Sequence, residues 1–590
     1  MSPVVVSRSV RCGAAREAMW EALADTRRFS RALGGGPVAA TPLEDAGAAR
    51  YLSRTRVSGI EIAYEERPFD WSRPGHLHIQ RRIRSGPASR YALALRLEAL
   101  AEGGTAVTLA LEVEPRGVAF WPLVRAQAAL VAAKMTRLLR RIDENLARGA
   151  PPYGDEGPAR VAEGALAAAC ARLEAQAGQD AALLPRLRDH VARAPDLELG
   201  RIRPYALADR WGAKRSAVLS LCLHAVAAGL LELSWEIVCP SCRLAAAEAG
   251  ALVELSQEAH CHLCDLTFAV DLGRSVEAVM RPGKAIRRVE PGPYCISGPF
   301  GMPHVVAQAV LPAGGAAALR VPAAAGRYRL SARGGATTPV EIAPGAPPAC
   351  AVEAGADLGG AVRIAPGGEL RLTDTLGQER HVRLEHLAWA SQAATAHDVS
   401  LLGTFRRLFS HEVLRPGLAL AVARVTILFT DLAGSTELYA RVGDAGAFAF
   451  VQDHFAGTAA IVERHQGCVV KTLGDSVMAA FPDEQSALVA AVALQRAHAA
   501  RPGAPALKIG LHAGPCFVVS ANRQLDYFGQ TVNVAQRLEA CAAGGEIVVA
   551  AELAPAGAPW LGGLDVEGPV EVALKGLPAP VRIVRVRLGG

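Results

Sequence analysis

Two acidic residues stand where apolar runs end. In "VTILFTDLAGSTELY", residues 425–439, strand-suited residues lead into Asp431, and Gly, Ser and Thr follow. In "CVVKTLGDSVMAAF", residues 468–481, two apolar or β-branched runs flank a Leu-Gly-Asp turn, as in a hairpin whose tip presents Asp475. Asp431 has two readings. It caps the following helix together with Ser435 and Thr436, or it holds a divalent cation where small residues let a phosphate approach the backbone. If its strand pairs beside the hairpin, the two carboxylates lie side by side and repel unless a cation sits between them. Hard oxygen ligands of this kind favour Mg²⁺ or Mn²⁺. A third stretch, "LDYFGQTVNVAQRLEACA" at 525–542, starts like a strand, passes a Gly and continues as a helix carrying Asn533 and Arg537. Four apart, these two share one helix face.

Four cysteines form a separate centre. Cys239, Cys242, Cys261 and Cys264 are spaced C-x2-C-x18-C-x2-C. Two such knuckles can bring four thiolates into the tetrahedral geometry that zinc prefers, with no open position for water, so one structural zinc per chain is expected. A redox dithiol and an iron–sulfur cluster are the other chemistries for this spacing. His260 and His262 flank the second pair and could substitute as ligands.

The motifs "FTDLAGST", "KTLGDSVMAAF" and "LDYFGQTVNVAQRL" occur in this order, and over residues 420–590 the chain resembles the class III adenylate/guanylate cyclase catalytic domain. The resemblance implies a ferredoxin-like βαββαβ core working as a homodimer, with active sites at the subunit interface. It implies that Asp431 and Asp475 bind two Mg²⁺ or Mn²⁺ ions, that Asn533 orients the ribose, and that Arg537 stabilises charge on the α-phosphate. Lys471 and Asp526 fall at the base-selecting positions. Adenine presents an acceptor at N1 and a donor at N6, which match an ammonium and a carboxylate, so ATP is the expected substrate. Lys575, in "VALKGLPAPVRIV", matches a late lysine that contacts the polyphosphate, and Arg523 lies near the substrate loop. The expected reaction makes 3′,5′-cyclic AMP and pyrophosphate. The alternative is a regulatory or scaffold protein with a degenerate cyclase domain, but no motif position is missing.

These motifs need a multidomain α+β chain around them, since 590 residues exceed one core. Residues 1–148 run helix, alternating strands, then a long helix, and resemble the START-like helix-grip superfamily. That superfamily often encloses an apolar small molecule, which makes this unit the expected sensor. "GAPPYGDEGPARVAEG" at 149–164 reads as a linker. Residues 165–236 resemble a winged helix, and with only Lys214 and Arg215 near the start of its second helix, DNA contact is not expected. A zinc-ribbon-like segment follows at 237–275, a β-sandwich-like segment at 280–395 and a helical connector at 397–419. A net charge of +6 over this length does not argue for nucleic acid. The most apolar run, 217–231, is too short to span a bilayer, and "MSPVVVSRSVRCG" lacks the apolar core of an export signal, so the expected location is cytoplasmic.

Overall fold

The structure is a computed structural model that describes residues 2–589 apart from 37, 44–49, 58–59, 155–160, 177–179, 181, 290–297, 388–392, 502, 555–562 and 578. Among the described residues, no helix is long and apolar enough to cross a membrane.

The first unit builds an antiparallel sheet in which Val4–Cys12 pairs with Thr105–Pro115, followed by Ala88–Ala99 and His76–Ile83. Residues 105–115 alternate strictly between buried and half-buried, the period-2 signature of a strand covered on one face. The cover is the helix Trp121–Ala147, whose Met135, Leu139 and Ile142 share one core with Leu95 and Leu109 of the sheet. Helix and sheet therefore pack directly together where the apolar ligand is expected. A cavity of about 350 Å³ beside the sheet is lined by charged side chains, among them Glu66, Arg67, Arg81 and Arg90.

The first sheet does not end with the first unit. Its short strand Asp70–Ser72 pairs with Val305–Leu311, and the sheet runs on through Arg380–His386, Gly326–Ala332 and Thr337–Ile342. Buried Gln308 ties the junction by donating to the Phe69 carbonyl at 2.7 Å, and the Val310 N–H donates to Asp70 at 2.6 Å. A second sheet of 316–320, 369–374 and 349–354 faces this extension across a core containing Leu319, Leu330, Leu372 and Leu384. Residues 1–148 and 280–395, separate domains in the sequence analysis, share one sheet.

Between them lie the helices Pro204–Trp211 and Arg215–Ala227, joined through Gly212 at φ 62°, where a side chain would be strained. Arg215 is held by both carboxylate oxygens of Asp209, at 2.9 and 2.7 Å. Strand Leu231–Val238 follows, flanked by Ala245–Ala249 and Val276–Pro282. The connector resolves into two short helices, Ala396–Ser400 and Gly403–Leu408. Thr395 and Asp398 form a capping box on the first. On the second, Phe405 meets Trp235 edge-on at 6.1 Å and stacks on Phe409 at 5.5 Å. Truncating an aromatic anchor of this kind costs about 3–5 kcal/mol. One continuous core runs from the 204–227 helices through the connector helices into the C-terminal domain.

That domain runs strand Leu420–Leu432, helix Ser435–Arg464, strands Cys468–Leu473 and Ser476–Phe481, helix Glu484–Ala499 and strand Leu507–Ala521. Along the sheet the four strands stand second, third, first, fourth, the antiparallel ferredoxin-like order. The hairpin strand Gln524–Phe528 and the helix Gln530–Ala540 complete the site. The long 435–464 helix breaks at Gly443, whose φ of 73° lies outside the helical range.

Candidate active site and metal centre

Register places the carboxylates. Thr430 pairs with Val477 on one side of the central strand, and Asp431 pairs with Lys508 on the other. Directly opposed residues share a sheet face. Asp431 accepts from Ser476 Oγ at 2.7 Å and from Lys508 Nζ at 3.3 Å, and Ser476 adjoins Asp475 in the hairpin turn. The capping reading of Asp431 fails: the helix begins at Ser435 with Gly434 as its N-cap, and the Asp431 carboxylate is engaged elsewhere. Among the described residues Asp475 Oδ2 is buried without a hydrogen-bond partner, an arrangement that a cation would satisfy. Two hard carboxylates with one such oxygen fit a divalent ion.

Two residues join this site that the motifs do not name. Lys508 also reaches Glu539 at 2.8 Å. Burial raises the Glu539 carboxyl above its usual range; Lys508 opposes this, while Asp431 and Asp475 add to it. Burial lowers Lys508, yet its bonds to Glu539 and Asp431 outweigh that and hold it above its ordinary value. A lone lysine inside the apolar run "LKIGL" is a sequence signal for the first. Glu539 has none, because it depends on how closely its helix approaches the sheet. Gly510 permits that approach: a Cβ there would lie 2.0 Å from the Glu539 nitrogen.

Lys471 and Asp526 come together from different strands, with Nζ 2.6 Å from Oδ2. Asp526 Oδ1 also accepts from the Tyr527 N–H at 2.8 Å, which fixes the carboxylate plane. Asn533 and Arg537 project from one face of the 530–540 helix, with Asn533 exposed and Arg537 half-buried. Arg537 lies against the turn bearing Lys575, since a Cβ on Gly576 would sit 3.3 Å from its guanidinium. Lys575 itself is exposed. Arg523 is exposed in a tight hairpin turn, at φ 59° beside Asn522 at φ 51°.

The four cysteines converge as their spacing predicts. All are buried, and the four sulfurs lie within 4.8 Å of one another. Cys239 is 3.5 Å from Cys264, and Cys242 is 3.6 Å from Cys261. Tetrahedral ligation at about 2.3 Å separates sulfurs by about 3.8 Å, so the cluster fits a metal ion. Arg243 and Asp265, each directly after a pair, take left-handed backbone at φ 58° and 51° to turn the knuckles. Buried Arg383 donates to Cys264 Sγ at 3.2 Å and brings positive charge to the thiolates. His262 instead contacts the Arg50 carbonyl at 3.3 Å and His260 the Thr267 hydroxyl at 3.2 Å, so neither belongs to the cluster.

Residues 419–578 match the Adenylate and Guanylate cyclase catalytic domain family, and residues 169–293 match DUF5939, a family of unknown function. A pH-sensitive adenylate cyclase of Mycobacterium tuberculosis is 29% identical over 220 residues, 34% of this chain and 54% of that protein. An adenylate cyclase of Streptomyces coelicolor is 34% identical over 119 residues, 20% of this chain and 30% of that one. A solved adenylate cyclase of Trypanosoma brucei is 26% identical, covering 28% of this chain and 89% of that one, at a TM-score of 0.25. The chain thus spans about half the length of the first of these curated relatives and less of the second. Its C-terminal residues, 419–578, are a class III adenylate/guanylate cyclase catalytic domain.

Proposed function

We propose that the protein is an adenylate cyclase that converts ATP to 3′,5′-cyclic AMP and pyrophosphate at a homodimer interface. The observation that carries this reading is the Lys471–Asp526 pair, whose ammonium and carboxylate complement N1 and N6 of adenine. Guanine inverts that pattern, with a donor at N1 and an acceptor at O6, and would set like against like at both positions. Asp431 and Asp475 would hold two Mg²⁺ or Mn²⁺ ions. Such ions, when bound, polarise the ribose 3′-hydroxyl and neutralise the triphosphate. Asn533 orients the ribose, Arg537 holds positive charge at the α-phosphate, and Lys575 contacts the polyphosphate. Dimerisation is supported by exposed apolar side chains around this face: Phe528 (68% exposed), Phe517 and Leu473. The four cysteines would hold one structural zinc, and the N-terminal units would sense the signal that biases the dimer.

The direct test is incubation of the purified chain with ATP and Mg²⁺ or Mn²⁺. Equal yields of cyclic AMP and pyrophosphate are expected; orthophosphate without cyclic AMP would point to phosphohydrolase chemistry instead. Base selection has its own check. Lys471→Glu together with Asp526→Cys should lower kcat/KM for ATP by roughly 100-fold and raise relative use of GTP. An unchanged nucleotide preference would remove these two residues from base recognition.

The cross-chain site makes a second expectation. Asp431→Ala and Arg537→Ala chains should each be inactive as homodimers, because each defect falls in both sites. Mixed heterodimers place both defects in one site and leave the other intact, so activity should return on mixing. Verified heterodimers without recovered turnover would argue for a site built within one chain.

A further inference from the structure

The connector grips the strands that carry the base-recognition pair. Arg406 donates through Nε to the Ser400 carbonyl at 3.0 Å and through Nη1 to the Leu525 carbonyl at 2.9 Å. Leu525 directly precedes Asp526. On the other side of Asp526, the Tyr527 hydroxyl meets buried His397 Nδ1 of the first connector helix at 3.4 Å. The same Ser400 carbonyl receives the thiol of buried Cys468, at 3.8 Å, where the strand bearing Lys471 begins. Alternation explains the division of labour. Leu525 and Tyr527 turn into the core shared with the connector, while Asp526 faces away from it toward Lys471.

We infer that Arg406 is a positioning residue for nucleotide selection: the connector sets where Asp526 stands relative to Lys471, and so how strongly adenine is preferred over guanine. This rests on the reading of Lys471 and Asp526 as the base-recognition pair. Arg406 touches no substrate; it acts through the backbone beside Asp526. A shift of the connector relative to the catalytic domain would move this carbonyl first, so a signal arriving from the N-terminal units would reach base recognition before the carboxylates of the metal site.

The test uses the full chain and two readouts that do not need turnover. Hydrogen exchange without nucleotide reports the 524–528 strand directly. Calorimetry with the α,β-methylene analogues of ATP and GTP, which cannot release pyrophosphate, reports selection. Arg406→Met should speed exchange in 524–528 while leaving 425–431 unchanged, and should reduce the ATP-over-GTP affinity ratio by about tenfold. Tyr527→Phe, which removes only the hydroxyl facing His397, should shift both readouts the same way by about threefold, and it decides the matter if Arg406→Met does not fold. A lowered melting temperature with an unchanged affinity ratio would make Arg406 merely structural and overturn the inference, as would unaltered exchange in 524–528. A wild-type chain that makes no cyclic AMP would instead refute the proposed activity, and both readouts would still decide the role of Arg406.

Discussion

Replacing Asp431 or Asp475 by alanine is expected to lower cyclic AMP production by at least ~1000-fold, because a lone carboxylate cannot organise two divalent ions. Asp431 accepts from both Ser476 and Lys508, so Asp431→Ala also leaves Lys508 facing only Glu539. Asp475 Oδ2 has no hydrogen-bond partner among the described residues to lose, so Asp475→Ala should leave the fold nearly unperturbed. The two variants then separate metal binding from packing. Wild-type protein should gain thermal stability with Mn²⁺ in excess, as any ligand that binds only the folded state confers. Both variants should lose that gain, and Asp475→Ala should keep its metal-free melting temperature. Near-normal turnover by either variant would remove the carboxylates from metal binding.

The second large effect is expected at the cysteine centre. Cys239→Ser with Cys261→Ser should abolish binding of about one zinc per chain and lower the melting temperature of the middle region by roughly 10 °C. The cysteines share a core with Trp71 and Leu77 of the N-terminal sheet, and Arg383 links them to the sheet extension. The double variant would leave two thiols and two hydroxyls in a buried site shaped for four sulfurs, beside the buried Arg383 that also reaches Ser241 and Glu385. Elemental analysis of protein purified without added metal is the check. Iron in place of zinc would assign a different centre, and neither metal would refute ligation.

Because the knuckles pack against both the N-terminal sheet and its extension, their loosening should spread beyond 237–275. Limited proteolysis of the double variant should cut within the sheet extension as well as in the knuckles. Cleavage confined to 237–275 would show that the sheet holds without the metal.

Much of the candidate site could be read from residue order, for a physical reason. Asp431, Asp475, Asn533 and Arg537 lie at the ends of short local units — strand to loop, hairpin turn, helix face — whose geometry follows from composition within about fifteen residues. The four cysteines are equally local within each pair, since each pair folds as its own turn. What the sequence could not decide was how several of the separate segments meet. Whether Asp431 caps the following helix turned on the register that sets it opposite Lys508 and beside Ser476. Glu539 entered the site only because Gly510 admits its helix against the sheet. The union of residues 1–148 with 280–395 hangs on the three-residue strand Asp70–Ser72, too short for any alternation to announce. The grip of Arg406 on Leu525 spans 119 positions through a backbone carbonyl, an acceptor that every residue carries and no motif can mark. Side-chain identity and local spacing thus determined which candidate groups the chain offers, and long-range packing alone decided which of its elements hold them in place.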